Sequence, residues 1–167
     1  MNTGGKFIRD QAKLVGIVNQ LKSQGKRIVL TNGCFDLLHV GHIRCLKEAK
    51  RQGDVLIVAV NSDKSMKKLK RTGRPVMPEE ERIEILEALA CIDYITLFAE
   101  NRVDRLLLML KPHVHAKGTD YTEETVPERE IVLSYGGRIA IVGDTKSHST
   151  TDLIRAIARA EKGDVHR

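Results

Sequence analysis

The chain has 167 residues, 41% hydrophobic and 30% charged, the balance of one folded domain rather than a disordered segment. Its 28 Lys and Arg against 22 Asp and Glu leave a formal charge of +6, which favours an anionic partner, either nucleic acid or a phosphorylated small molecule. Aromatic residues make up only 4% and Trp is absent, so a base-stacking platform for single strands falls behind the small phosphate.

Leu14, Val15, Val18 and Leu21 recur at helical spacing and Gly25 marks a stop, which predicts a helical extension over residues 1–25 ahead of a domain spanning 26–162. That domain opens on a short buried strand at 27–31, followed by a glycine-containing turn and a helix carrying Ile43, Leu46 and Ala49 as far as Gly53. Residues 55–60 form an unbroken apolar run, as expected of a strand covered on both faces. From Lys64 to Arg74 the chain is basic without a single acid and reads as a loop, closed by Pro75 and Pro78. Glu79, Glu80 and Glu81 then suit the first turn of a helix that sets Ile83, Leu86 and Ala90 on one face.

A strand at 94–98, a helix through Val103, Leu106, Leu107 and Leu110, and a strand at 114–117 follow. Pro127 is placed to begin a helix running to Gly136 and Gly137, and 138–142 is the last strand. Ser149 to Asp152 resembles a capping box before Leu153, Ile154, Ile157 and Ala158. This alternation predicts a Rossmann-like, doubly wound α/β fold, a parallel five-stranded sheet with helices on both faces. Ligands of such sheets sit beyond the carboxyl ends of the strands, so function is sought just after Thr31, Val60, Lys117 and Val142. Cys34, Cys45 and Cys91 supply neither a disulfide framework nor a CxxC pair, and no apolar run suits a signal peptide or a membrane span. A cytoplasmic protein without membrane contact is the expectation.

The chemistry gathers first in TNGCFDLLHVGHIR, residues 31–44. His39 and His42 flank Gly41 where a helix begins, and a helix N-terminus offers unpaired N–H groups to a phosphate. Gly41 lets backbone approach a ligand closely. Both imidazoles can aim donors at one phosphoryl centre and offset the charge that gathers there. The competing readings are a cap or surface histidine, and zinc, for which no third or fourth ligand stands at suitable spacing. Neither GxxxxGK[ST] nor GxGxxG occurs.

The stretch NGCFDLLHVGH, residues 32–42, resembles the HxGH signature of the cytidylyltransferase-like nucleotidyltransferases. Glu81-Arg82, KGTDY at 117–121 and HSTTD at 148–152 follow in the family's order, so the similarity runs from about Lys26 onward. Within that family VNSD at 60–63, RPV at 74–76 and KGTDY look most like the adenylyltransferases that activate heptose 1-phosphate for lipopolysaccharide core synthesis. The resemblance implies transfer of AMP from ATP, carried with Mg²⁺, to the sugar 1-phosphate, with release of pyrophosphate and no covalent intermediate. It also implies a separate sugar kinase upstream, and a homodimer is expected because dimers are the commonest assembly of such domains. A cytidylyltransferase acting on glycerol 3-phosphate is the alternative within the fold; a basic nucleic-acid-binding module is the alternative outside it.

Carried over residue by residue, His39 and His42 become the catalytic pair. Asn32, Gly33, Cys34, Phe35 and Gly41 are expected at the nucleotide, with Asp36 orienting the turn or meeting substrate. Lys117, Gly118 and Asp120 are expected to join them, Asp120 accepting from sugar hydroxyls unless it serves only the turn. Ser149, Thr150 and Thr151 either cap a helix or also face the triphosphate. Asn61, Lys68, Arg71 and Arg74 are candidates for covering phosphate, although a charge run is commonly a solvated face. Arg44 stands where other members often carry lysine, and Arg82 is expected to steady the site or touch phosphate. His113 and His115 read as structural or exposed.

Overall fold

The computed structural model describes residues 5–69, 73–144 and 149–163, so the expectations for Arg71 and His148 lie outside the described residues. Asp10 caps α1 (Gln11–Ser23), its carboxylate accepting from the Ala12 and Lys13 N–H groups. Five strands then make one parallel sheet: β1 (Ile28–Gly33), β2 (Val55–Asn61), β3 (Tyr94–Phe98), β4 (Val114–Gly118) and β5 (Arg138–Val142). Their connections carry α2 (Val40–Arg51), α3 (Asp63–Leu69), α4 (Glu79–Glu87), α5 (Asp104–Leu110) and α6 (Arg129–Ser134), and α7 (Thr150–Gly163) follows β5.

Alternate residues of the buried strands feed two cores, one on each face. On the first, Val29, Val58, Val114 and Ala140 pack with Leu46 and Ala49 of α2 and with Ile83 and Leu86 of α4. On the second, Ile28, Leu30, Ile57 and Ile139 pack with Leu14 and Val18 of α1, three leucines of α5 and Val132 of α6. The helix read as an extension is thus bound into the second core, with Leu14 and Val18 fully buried.

The larger differences from the sequence reading lie at element boundaries. Strand β1 runs two residues further, because Asn32 and Gly33 keep their register opposite Ala59 and Val60. Part of the basic loop is helical: α3 turns Ser65 and Met66 inward and leaves Lys64, Lys67 and Lys68 outside. Helix α4 stops at Glu87, short of Ala90, and α6 begins two residues after Pro127 with Glu128 as its N-cap.

The strand order is β3-β2-β1-β4-β5. The chain winds outward from β1 to β3 and then returns to lay β4 on the other side of β1. That reversal opens a crevice between neighbouring carboxyl ends, where the crossovers diverge. It sets Thr31, Asn32 and Gly33 beside Ala116, Lys117 and Gly118.

Candidate active site

The crevice floor is the turn between β1 and α2. Phe35 adopts φ +48°, a left-handed conformation that a bulky side chain rarely takes and that tertiary contacts must hold. Two clamps hold it. Asp36, 4% exposed, accepts from the Val76 and Met77 N–H groups at 2.8 and 3.0 Å and pairs with Arg74 at 2.7 Å. Arg82 reaches in from α4 and donates to the Cys34 carbonyl, to the Met77 carbonyl and to Asp63. Gly33 leaves room for the Phe35 ring, whose nearest carbon would lie 3.0 Å from a Cβ built there.

The turn delivers two imidazoles to the mouth of α2. His39 is the N-cap residue with extended backbone, and His42 is the third residue of the helix. Their ring centroids lie 3.9 Å apart, with Phe35 5.4 Å from His42 on the other side. The His39 N–H points at His42 Nδ1, 3.4 Å away. With Nδ1 accepting, the proton of the neutral ring sits on Nε2, the atom left for a ligand. Burial, and then the neighbouring His39, push His42 down from 6.5 to about 4. In the free protein at neutral pH this imidazole is an uncharged donor.

Two cavities of about 290 and 390 Å³ meet at this point and share His42, Cys45, Gly118, Asp120, Thr150 and Thr151. The smaller lies between the start of α2, the end of β5 and the start of α7, and takes in His39, Gly41 and Ser149. Its far wall is fixed by Glu48, which accepts from the Gly143 N–H at 2.6 Å. Ser149 caps α7 as the sequence suggested: the Asp152 N–H donates to its Oγ, and its hydroxyl donates to the Asp152 carboxylate. The larger cavity lies beyond β1, β2 and β4 and takes in Asn32, Gly33, Cys34, Phe35, Asp36, Asn61, Arg74 and Lys117.

Of the residues expected at substrate, Asp36 and Arg74 line the larger cavity while bonded to each other. Asn61 is likewise engaged, donating to Ser65 Oγ at 2.9 Å and accepting from Cys34 Sγ at 3.8 Å. Arg82 takes the first of its two expected roles: 1% exposed, its guanidinium is bonded to Cys34, Met77 and Asp63 and steadies the turn. Arg44 pairs with Asp144, and neither it nor Lys68, exposed on α3, lines either cavity. The sequence reading missed Cys45, which faces both cavities one turn after Gly41. Burial, with Glu48 and Asp120 nearby, pushes its thiol up to about 11, so it is unreactive lining. Met66, on the inner face of α3, and Asp144 and Tyr121, in the segments after β5 and β4, were also missed as lining residues.

The histidines make stability fall in acid. Burial leads the lowering at His42, His113 and His115 alike. The unfolded chain therefore binds more protons than the folded one below about pH 6.5, and stability is lost as pH falls from there. Glu128, brought down to about 2, adds a loss of the same sign below the ordinary carboxylate range. The melting temperature is expected to drop steadily between pH 7 and pH 5, and a rise over that interval in a thermal unfolding series would contradict this account.

Residues 30–159 match the family model described as cytidylyltransferase-like. The chain is 50% identical over 153 residues to the bifunctional protein HldE of Geobacter metallireducens, covering 92% of this chain and 31% of that one. Against the HldE of Pelobacter propionicus it is 47% identical over 150 residues, covering 90% and 31%. The chain thus spans about a third of the length of the curated relatives it matches. Among solved structures, the lipopolysaccharide core biosynthesis protein from Thermoplasma volcanium superposes with a TM-score of 0.62 at 28% identity, over 73% of this chain and all of that one. Pantoate-beta-alanine ligase from Francisella tularensis, with a TM-score of 0.61 at 18% identity over 92% and 77%, shares the fold. With the paired histidines at the mouth of α2 and the match running from β1 into α7, the chain belongs to the cytidylyltransferase-like family.

Proposed function

We propose that the protein is an adenylyltransferase that moves AMP from ATP to D-glycero-β-D-manno-heptose 1-phosphate, giving ADP-heptose and pyrophosphate for lipopolysaccharide core synthesis. The observation that carries this reading is the meeting of two cavities at His42. The smaller, beside the start of α7, suits the nucleotide; the larger, with Lys117 and Arg74 on its wall, suits the sugar phosphate, which moves Asn32, Gly33, Cys34, Phe35 and Lys117 from their expected place at the nucleotide to the acceptor side. Two anionic substrates entering from either side then meet at one phosphorus.

An ionised oxygen of the acceptor phosphate attacks the α-phosphorus in line. The bond from that phosphorus to the α,β-bridging oxygen breaks, and its electron pair leaves with pyrophosphate. No general base is needed, so alignment and charge stabilisation carry the rate. His39 and His42 hold the phosphate oxygens, and His42 enters as a neutral Nε2–H donor. Among the described residues no three His, Cys, Asp or Glu side chains converge. Magnesium enters, in this proposal, with the triphosphate it accompanies. The acceptor must arrive phosphorylated, which assigns the preceding step to a sugar kinase, and a homodimer is the expected assembly. No helix among the described residues is long and apolar enough to cross a membrane, in keeping with soluble substrates.

A pyrophosphate-release screen that crosses ATP and CTP with heptose 1-phosphate and glycerol 3-phosphate tests the reading. Turnover is expected for ATP with the heptose. Turnover confined to CTP with glycerol 3-phosphate would replace it with the cytidylyltransferase alternative.

A further inference from the structure

Beneath the larger cavity, on the second face of the sheet, lies a charged cluster that the sequence reading did not connect. Lys117 at the end of β4 is 8% exposed, and its Nζ donates to Asn32 Oδ1 at 3.3 Å. The same nitrogen lies 3.4 Å from Glu128 Oε2 and 4.9 Å from the centre of the Tyr121 ring. Glu128 comes from the crossover that follows β4, as the N-cap residue of α6, and is 4% exposed. Behind it stands His115, fully buried, two residues before Lys117 on the same face of β4. His115 Nδ1 lies 3.2 Å from the Leu30 carbonyl, and Nε2 stands 3.7 Å from Glu128 Oε2.

A carboxylate is costly to bury unless a positive partner stays with it. Here that partner is an ammonium on the wall of the substrate cavity. Among the described residues, the other cation on that wall, Arg74, is committed to Asp36. Asn32 Oδ1 takes one N–H of the ammonium, while Glu128 Oε2 faces it at ion-pair distance without a hydrogen bond, which leaves donors for a ligand. Held from three sides, the flexible lysine stem has lost most of its rotamers before substrate arrives, so the ordering cost falls on folding rather than on binding.

We infer that Glu128, backed by His115, is a positioning residue that fixes the Lys117 ammonium at the cavity wall to receive a substrate phosphate. The inference rests on the reading of the site given above and adds to it a residue that touches no substrate.

Glu128→Gln keeps the shape and removes the charge. It is expected to raise the KM of at least one of the two phosphorylated substrates about tenfold or more, with a smaller change in kcat. Lys117→Gln should raise the same KM, and the double variant should be no worse than Lys117→Gln alone. Glu128→Asp, which retains the charge on a shorter stem, should recover part of the loss and serves in place of Glu128→Gln should the latter not fold. Both KM values within twofold of wild type in Glu128→Gln, or a double variant whose loss is the product of the two single losses, would overturn the inference. If the wild-type chain joins no nucleotide to any sugar phosphate, the proposed function fails separately. Calorimetric titration with inorganic pyrophosphate and with inorganic phosphate then decides the inference: weaker binding of either by Glu128→Gln upholds it, and unchanged binding of both overturns it.

Discussion

Replacing His42 by Ala is expected to lower kcat about 100-fold or more in a chain that still folds. Removal of one preset donor from a centre where charge develops costs about two to three decades in rate, or about 3 to 4 kcal/mol. His42 is placed for that effect because its ring borders both cavities, so whatever bridges them passes its Nε2. The ring is also uncharged in the free protein, since burial and His39 hold it near 4. It gains affinity for a proton only as triphosphate charge comes close, which makes its interaction stronger in the reacting complex than in the empty site. The fold loses less, because the side chain is only partly buried and contributes ring contacts with Phe35 and His39 and one long acceptor contact. His42→Asn, which keeps an N–H donor on a shorter arm, should recover part of the rate. The check is steady-state pyrophosphate release beside thermal unfolding of the same preparations. A folded His42→Ala chain with wild-type kcat would remove this histidine from the chemistry.

What the sequence carried about this fold followed its periodicities. Strands β3 and β5 fall at the residues read as strands, and the crevice opens after the strand ends the parallel-sheet rule singled out. The histidine turn was readable because three features within four residues point to one function. Helix α3 was hidden, since seven residues with three lysines and only Met66 and Leu69 apolar give no helical stripe, and its inner face rests on Ser65 and Met66. The side chains that shape the crevice were hidden for a different reason. Asp36 meets residues 74 to 77 and Arg82 meets Cys34, pairings set by which crossovers end side by side, while Glu128 meets Lys117 because the crossover after β4 folds back on its end; spacing along the chain reveals none of them. A charged residue in such a pair looks, in sequence, like one available to substrate. Arg82, open in sequence either to steadying the site or to touching phosphate, is found bonded to protein, and Arg44 is paired with Asp144.

Arg82→Ala is expected to produce the largest loss of stability of any single charged residue near the crevice. Its guanidinium is fully buried and spans three partners at once: the Cys34 and Met77 carbonyls and Asp63, the last at 2.7 Å. Truncation leaves two carbonyls and a carboxylate without their donors and opens a cavity the size of the lost side chain. Breaking a buried pair from one side costs about 3 to 5 kcal/mol. For a domain of this length that lowers the melting temperature by about 10 °C. Activity should fall even well below the melting temperature, because Cys34 precedes Phe35, whose left-handed backbone depends on the carbonyl being held. Arg82→Lys should rescue little, since an ammonium is a point charge and cannot span the three directions of a planar fork. Arg44→Ala is the matched control: its pair with Asp144 is half-exposed, and such pairs contribute about 0 to 1 kcal/mol. Thermal unfolding of the three variants beside their turnover separates the cases. If Arg82→Ala melts with the wild type and loses only affinity for a phosphorylated substrate, the guanidinium contacts substrate after all and the clamp described here is wrong.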